Sequence, residues 1–142
     1  MFSTSHLHPM LVHFPIALVI VGFLSELAFL YFKKEVTLSK MGFYLLIIGT
    51  IAACAAWLAG NFFTSDLEGA AGKVQALHEL FANITLGLLL FTSAIRIFQL
   101  IKKNENPQLK WFAFAVYALA ALSVSITGLF GGTLVYSYMV SL

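Results

Sequence analysis

The chain has 142 residues, of which only 8 are Lys or Arg and 6 are Asp or Glu, while 61% are hydrophobic. A soluble domain of this length leaves too much of its surface wet to hide so much apolar content. The net charge of +2 is too small to steer the chain toward nucleic acid, and the single cysteine, Cys54, excludes an internal disulfide or a multi-cysteine metal cluster. What remains is an integral membrane protein, with a mean hydropathy of +0.94.

A spanning helix needs about 20 apolar residues, and four segments supply them. The first runs near residues 10–32, the second near 41–63, the third near 77–101 and the fourth near 111–139. They predict an all-α, up-down-up-down four-helix bundle forming a single transmembrane domain. No basic stretch precedes the first span, and no small-x-small cleavage pattern follows it, so it reads as an uncleaved helix rather than a signal peptide. The tripeptide Asn83-Ile84-Thr85 matches a glycosylation sequon but falls inside the third span, where it carries no such meaning.

The cations set the expected orientation. Lys33, Lys34 and Lys40 flank the first connection, and Lys102, Lys103 and Lys110 flank the third. The second connection has only Lys73, beside Asp66 and Glu68. Positively charged loops stay in the cytoplasm, so both termini and the middle connection are expected on the non-cytoplasmic side.

The polar residues within the spans fall at two depths. All four histidines, His6, His8, His13 and His78, lie at the expected outer side, with Asn61, Asp66, Gly131, Gly132, Tyr136 and Tyr138. Lower down, Glu26 precedes Lys33 and Arg96 precedes Lys102 by about two turns, which puts both about 10 Å inside the opposite boundary. An ionised group at that depth is expensive unless paired or hydrated. Glu26 and Arg96 are therefore expected to pair between spans 1 and 3, as a structural ion pair or as part of a proton path. On a helical wheel His78, Thr85, Thr92 and Arg96 fall within about 40° of one another, a polar stripe that should face the bundle interior because lipid offers no hydrogen-bond partners. Ala52, Ala56 and Gly60 on span 2, and Gly128 and Gly132 on span 4, mark close helix approach or room for a flat cofactor. Cys54 reads as a small packing residue. Spans 1 and 3 share a layout of outer histidine, deeper charge and inner Lys-Lys pair, too weak to establish a repeat.

The opening string His8-Pro9-Met10-Leu11-Val12-His13-Phe14-Pro15 resembles the start of a family of small four-span bacterial membrane proteins whose first helix carries an HPxxVHFP motif. The ending Gly131-Gly132-Thr133-Leu134-Val135-Tyr136 is similar to that family's GGxLVY, and Glu26, His78 and Arg96 fall where its acidic, histidine and basic residues stand. The resemblance spans essentially the whole chain and implies a multi-pass protein of the bacterial inner membrane. Members fused to electron-transfer modules such as Rieske domains imply a redox setting. The family often has a histidine two residues after the terminal tyrosine; here that position is Tyr138, which leaves a direct transfer of a ligand set open.

Three functions compete. The first is a b-type haem site near the outer face, with His13, His78 and His8 as cofactor-binding candidates, because imidazole is a usual axial ligand for haem that is not covalently attached and helix bundles build such sites from facing side chains. Phe14, Phe81 and Phe130 are candidates to pack on the porphyrin, and the absence of a CxxCH excludes c-type attachment. Such a protein would pass electrons with a quinol or a partner redox protein. The second is a copper or zinc site at His13 and His78, with His6 and His8 nearby. The third is an accessory or structural role in a homo-oligomer or larger membrane complex, with the histidines at an interface. No set of residues argues for a catalytic centre, so the chain reads as an electron-transfer or accessory protein embedded in the lipid bilayer, not as an enzyme.

Overall fold

The computed structural model describes the backbone of residues 7–138 and the side chains of residues 10–138. Four helices follow one another: α1 (Leu7–Tyr31), α2 (Val36–Phe63), α3 (Gly69–Lys102) and α4 (Pro107–Ser137). Each is long and apolar enough to cross a membrane. The connections are short, so successive helices run antiparallel. The helices are packed chiefly as two hairpins, α1 on α2 and α3 on α4, which meet along the narrower α1–α4 and α2–α3 seams.

Each helix begins earlier than its apolar segment, because hydrogen bonding continues past the point where hydropathy falls. The largest difference is at α3, which starts at Gly69 rather than near Leu77. Ala70, Ala71 and Ala76 in its first two turns propagate a helix readily, and Gly69, at φ +68, makes the turn into it. At the other end Lys103 adopts a left-handed conformation (φ 48), and the Asn104 N–H bonds back to Gln99 O at 2.9 Å, closing the helix as a Schellman turn. Pro107 opens α4 behind Asn106, whose side chain accepts from Gln108 N at 2.9 Å.

The core is a tight layer at mid-height. Val19, Leu46, Leu89 and Ala120 are fully buried there, joined by Tyr117 and Val124. On α2 the buried face runs through Gly42, Leu46, Gly49, Ala53 and Ala56 at alternating steps of four and three, the spacing of left-handed helix packing. It passes through Ala53 rather than Ala52, which is only half-buried. Large apolar side chains such as Tyr44, Ile51, Leu122 and Leu129 point outward, as lipid-facing positions do. All the lysines but Lys73 gather at the end carrying the first and third connections, next to Tyr31, Phe32 and Trp111. The opposite end, where α1 begins and α4 finishes, carries His13 and His78 and is called the histidine end below.

Candidate functional site

The inward seam of α3 organises both ends of the bundle. Gln75, His78, Ala82, Thr85, Leu89, Thr92 and Arg96 recur at steps of three and four, and Gln75, Thr85, Leu89 and Thr92 are buried. Polar members of the seam meet partners on neighbouring helices. Thr85 Oγ1 lies 2.7 Å from Ser123 Oγ and 3.2 Å from Thr127 Oγ1 on α4, and beside the seam Ser93 Oγ lies 2.9 Å from Thr50 Oγ1 on α2. Each such contact between membrane helices contributes about 0.6 kcal/mol.

At the lysine end the seam reaches Arg96, whose Nη2 donates to Glu26 Oε1 at 2.6 Å. The pair joins α1 to α3 across the bundle diagonal. Two glycines and a tyrosine complete the cluster. A Cβ on Gly42 of α2 would strike Cγ, Cδ and Oε1 of Glu26, and one on Gly22 of α1 would strike Tyr117 Oη. Tyr117, on α4, is 1% exposed and donates to Gly42 O at 3.3 Å. All four helices thus contribute to one polar junction. Hydropathy gives no sign of Tyr117, Gly22 or Gly42; the signal available was only their level with Glu26 and Arg96. The Thr50–Ser93 pair lies beside this junction, with Ser93 one turn from Arg96 on α3.

At the histidine end all four helices line a cavity of about 360 Å³. Its wall is mostly apolar and includes His13 and Ile16 of α1, Ala56 and Trp57 of α2, His78 and Thr85 of α3, and Gly128, Gly131 and Gly132 of α4. His13 lies at its rim, exposed. His78 is half-buried, and its Nδ1 lies 2.9 Å from Thr127 O. A carbonyl only accepts, so Nδ1 carries a proton in this contact, and in the neutral form of the ring the lone pair is then on Nε2. The imidazole rests against Gly131, where a Cβ would approach Cε1 to 3.1 Å. Gly128 lies against Ile16, whereas a Cβ on Gly132 would meet nothing within 4 Å. The glycines therefore divide between close packing and open space.

The structure brings His13 and His78 to one cavity but does not bring the phenylalanines there. Phe14 is 60% exposed, because its position on α1 turns it out of the bundle. Phe81 and Phe130 stack on each other, with ring centroids 5.8 Å apart, and none of the three lines the cavity. Tyr138, beyond the end of α4, is exposed and outside the wall, while Tyr136 is part of it. His8 sits in the first turn of α1 with its side chain outside the described residues, as is all of His6. Among the described residues no three His, Cys, Asp or Glu side chains gather to hold a metal ion. Cys54 is a half-buried free thiol.

A second cavity, of about 200 Å³ and mostly polar, adjoins the first and shares Trp57, His78 and Ala82 with it. Its roof is the connection of residues 64–68, held by Gln75, whose Oε1 accepts from Leu67 N at 2.8 Å and whose Nε2 donates to Ser65 O at 3.2 Å. Replacing Gln75 with Ala strips that backbone of both partners. The connection is then expected to open, read as faster protease cleavage at residues 64–68, with a stability loss of about 1–3 kcal/mol. Trp57 Nε1 donates to Asn83 Oδ1 at 2.7 Å in the shared wall, a role for Asn83 that its sequon match did not suggest.

Four long apolar helices with hydrogen bonds directed inward define a multi-pass membrane protein with a ligand-sized cavity at one end. The chain belongs to the DUF2231 family, described as predicted membrane proteins, whose model matches residues 4–142. No curated protein and no solved structure matches it.

Proposed function

We propose that the four-helix cavity at the histidine end holds b-type haem, with His13 and His78 as its candidate axial ligands, and that the chain serves one-electron transfer. The observation that carries this reading is that imidazoles from two different helices, α1 and α3, line one apolar cavity. Three further features support it. The Nδ1 bond to Thr127 O leaves the lone pair of the neutral His78 ring on Nε2, and a backbone carbonyl on the second ring nitrogen is the usual support for a metal-binding imidazole. Gly131 lets that ring lie against α4. The cavity volume of about 360 Å³ falls within the range of small-molecule and cofactor sites.

When bound, b-type haem supplies a reversible one-electron couple whose potential follows its axial ligands and the polarity of its pocket. The chain's own part is to fix the two imidazoles and to keep water out with apolar walls. The lysines at the far end orient the histidine end to the non-cytoplasmic side by the positive-inside rule. In a bacterial inner membrane the site would then meet a quinol or a partner redox protein at the outer surface.

The test is the absorption spectrum of the full chain, purified in detergent after expression with a haem precursor. A Soret band is expected, lost in His78→Ala and lost or shifted in His13→Ala. A colourless protein that takes up no added hemin would overturn the reading.

A further inference from the structure

We propose that the lysine end of the bundle binds the head groups of anionic phospholipids in preference to zwitterionic ones, and that the histidine end does not. This goes beyond the haem reading and does not depend on it, since the surface concerned lies at the other end of all four helices.

Charge is divided unequally between the two ends. Lys33, Lys34, Lys40, Lys102, Lys103 and Lys110 stand at one end against two carboxylates, Glu35 and Glu105, and all of these residues are exposed. Among the described residues Lys110 is the only one of these lysines in an ion pair, with Glu105. The others carry their charge outward. The histidine end has the reverse balance, with Lys73 set against Asp66, Glu68 and Glu79. A cluster of lysines directly beyond membrane helices attracts anionic lipid, through a field that fades within a Debye length. A bundle whose helices face lipid is bordered by head groups at both ends, so the partner is already in contact and only its charge is selected.

The neighbours of these lysines favour a lipid over a soluble anion. Tyr31 and Phe32 precede Lys33, Leu100 and Ile101 precede Lys102, and Trp111 follows Lys110; all five of these apolar side chains are exposed. In a membrane such faces lie against acyl chains, and aromatic rings settle at head-group level. The lysines therefore leave the helices where tails end and phosphates begin. Their stems run along the apolar surface while the ammonium groups reach the phosphates. Lys103 adds a further sign. It holds a left-handed conformation (φ 48) at the end of α3, where glycine makes the turn at less cost. The backbone gives no reason for a lysine there, but its charge does. A cation also suits the dipole at that helix end, an effect internal to the chain that is indifferent to which lipid surrounds it.

The two tryptophans read the two ends separately, because Trp111 is at the lysine end and Trp57 at the histidine end, and both are exposed. The full chain, as Trp57→Phe or as Trp111→Phe, would be placed in phosphatidylcholine vesicles containing a fixed fraction of lipid brominated on its acyl chains, either phosphatidylglycerol or phosphatidylcholine. Quenching of the remaining tryptophan then gives the relative affinity of the two lipids at that end. Phosphatidylglycerol is expected to be preferred by about 3-fold or more beside Trp111, as a few lysines near a membrane surface imply, and not beside Trp57. Lys33→Gln, Lys34→Gln, Lys102→Gln and Lys103→Gln together should bring the preference to parity, whereas Lys73→Gln should leave it unchanged. Lys103→Gly keeps the turn and removes the charge, so the preference should fall while the thermal midpoint does not. Equal quenching by the two lipids beside Trp111, the same preference beside Trp57, or a preference that survives the four substitutions would each overturn the proposal. So would relief of the quenching by millimolar inorganic phosphate beyond that given by chloride at equal ionic strength, because the lysines would then hold a soluble anion rather than a lipid.

Discussion

Arg96→Ala is expected to destabilise the bundle by about 3–5 kcal/mol, the cost of leaving one member of a buried ion pair alone. Glu26→Ala should cost less. The asymmetry comes from reach. Glu26 is 6% exposed, and its short carboxylate lies against the Gly42 backbone; with Arg96 gone it has no route to water. Arg96 is long, its side chain is 17% exposed, and it lies about two turns from Lys102. Without Glu26 it can extend along α3 toward the lysine end and hydrate its guanidinium. Replacing both by Met removes two charges together and should recover most of the loss, because apolar residues of similar volume substitute well for a buried pair. Unfolding titrations of the two single variants and the double variant, arranged as a double-mutant cycle, measure the coupling. Additive single effects would show that the 2.6 Å contact carries no specific energy.

That pair also marks how far the sequence could be read. Its level followed from counting residues back from two lysine pairs, and its sign from one acidic and one basic residue at the same depth. The inward stripe of α3 followed from periodicity: Thr85 meets hydroxyl groups of α4, while Thr92 is buried with its hydroxyl on Leu88 O of its own helix. The spans were legible because apolar runs that long have one use. Helix boundaries were not: hydropathy records where lipid ends, whereas the helix ends where its hydrogen bonding stops, and α3 begins at Gly69 with no change in apolar content to announce it. The aromatic residues misled for a related reason. Phe14 adjoins His13 in the chain, but neighbours on a helix point about 100° apart, and Phe14 faces outward. The polar cavity was illegible because it depends on which way Asn61, Thr64, Gln75 and Asn83 turn their polar atoms, and that direction is set by three-dimensional partners alone.

The glycines of the lysine-end junction were equally silent, and they carry the second large expectation. Gly22 and Gly42 each face a polar side chain from another helix rather than a packed backbone. Gly22→Ala places a methyl group against Tyr117 Oη and within 2.9 Å of Leu45 Cβ, and should cost about 1–3 kcal/mol, as overpacking does. Tyr117→Phe alone removes one long bond to Gly42 O, 3.3 Å, and should cost about 1 kcal/mol. In combination the phenylalanine withdraws the oxygen that the new methyl group strikes, so the double variant should be more stable than the sum of the two losses predicts, with the Leu45 contact keeping the rescue partial. Gly42→Ala is the harsher change. The atoms in its way are the carboxyl and Cγ of Glu26, which cannot yield without moving the oxygen that Arg96 holds. Its cost should therefore approach that of Glu26→Ala, and in a Glu26→Ala background it should add almost nothing, because the obstructing atoms are gone. Thermal or detergent unfolding of these variants decides the point. If Gly42→Ala destabilises as much in the absence of the Glu26 side chain as in its presence, the glycine serves helix packing in general. If its effect vanishes there, its function is to admit one carboxylate into the centre of a membrane bundle, and the ion pair and the small residue opposite it are a single device.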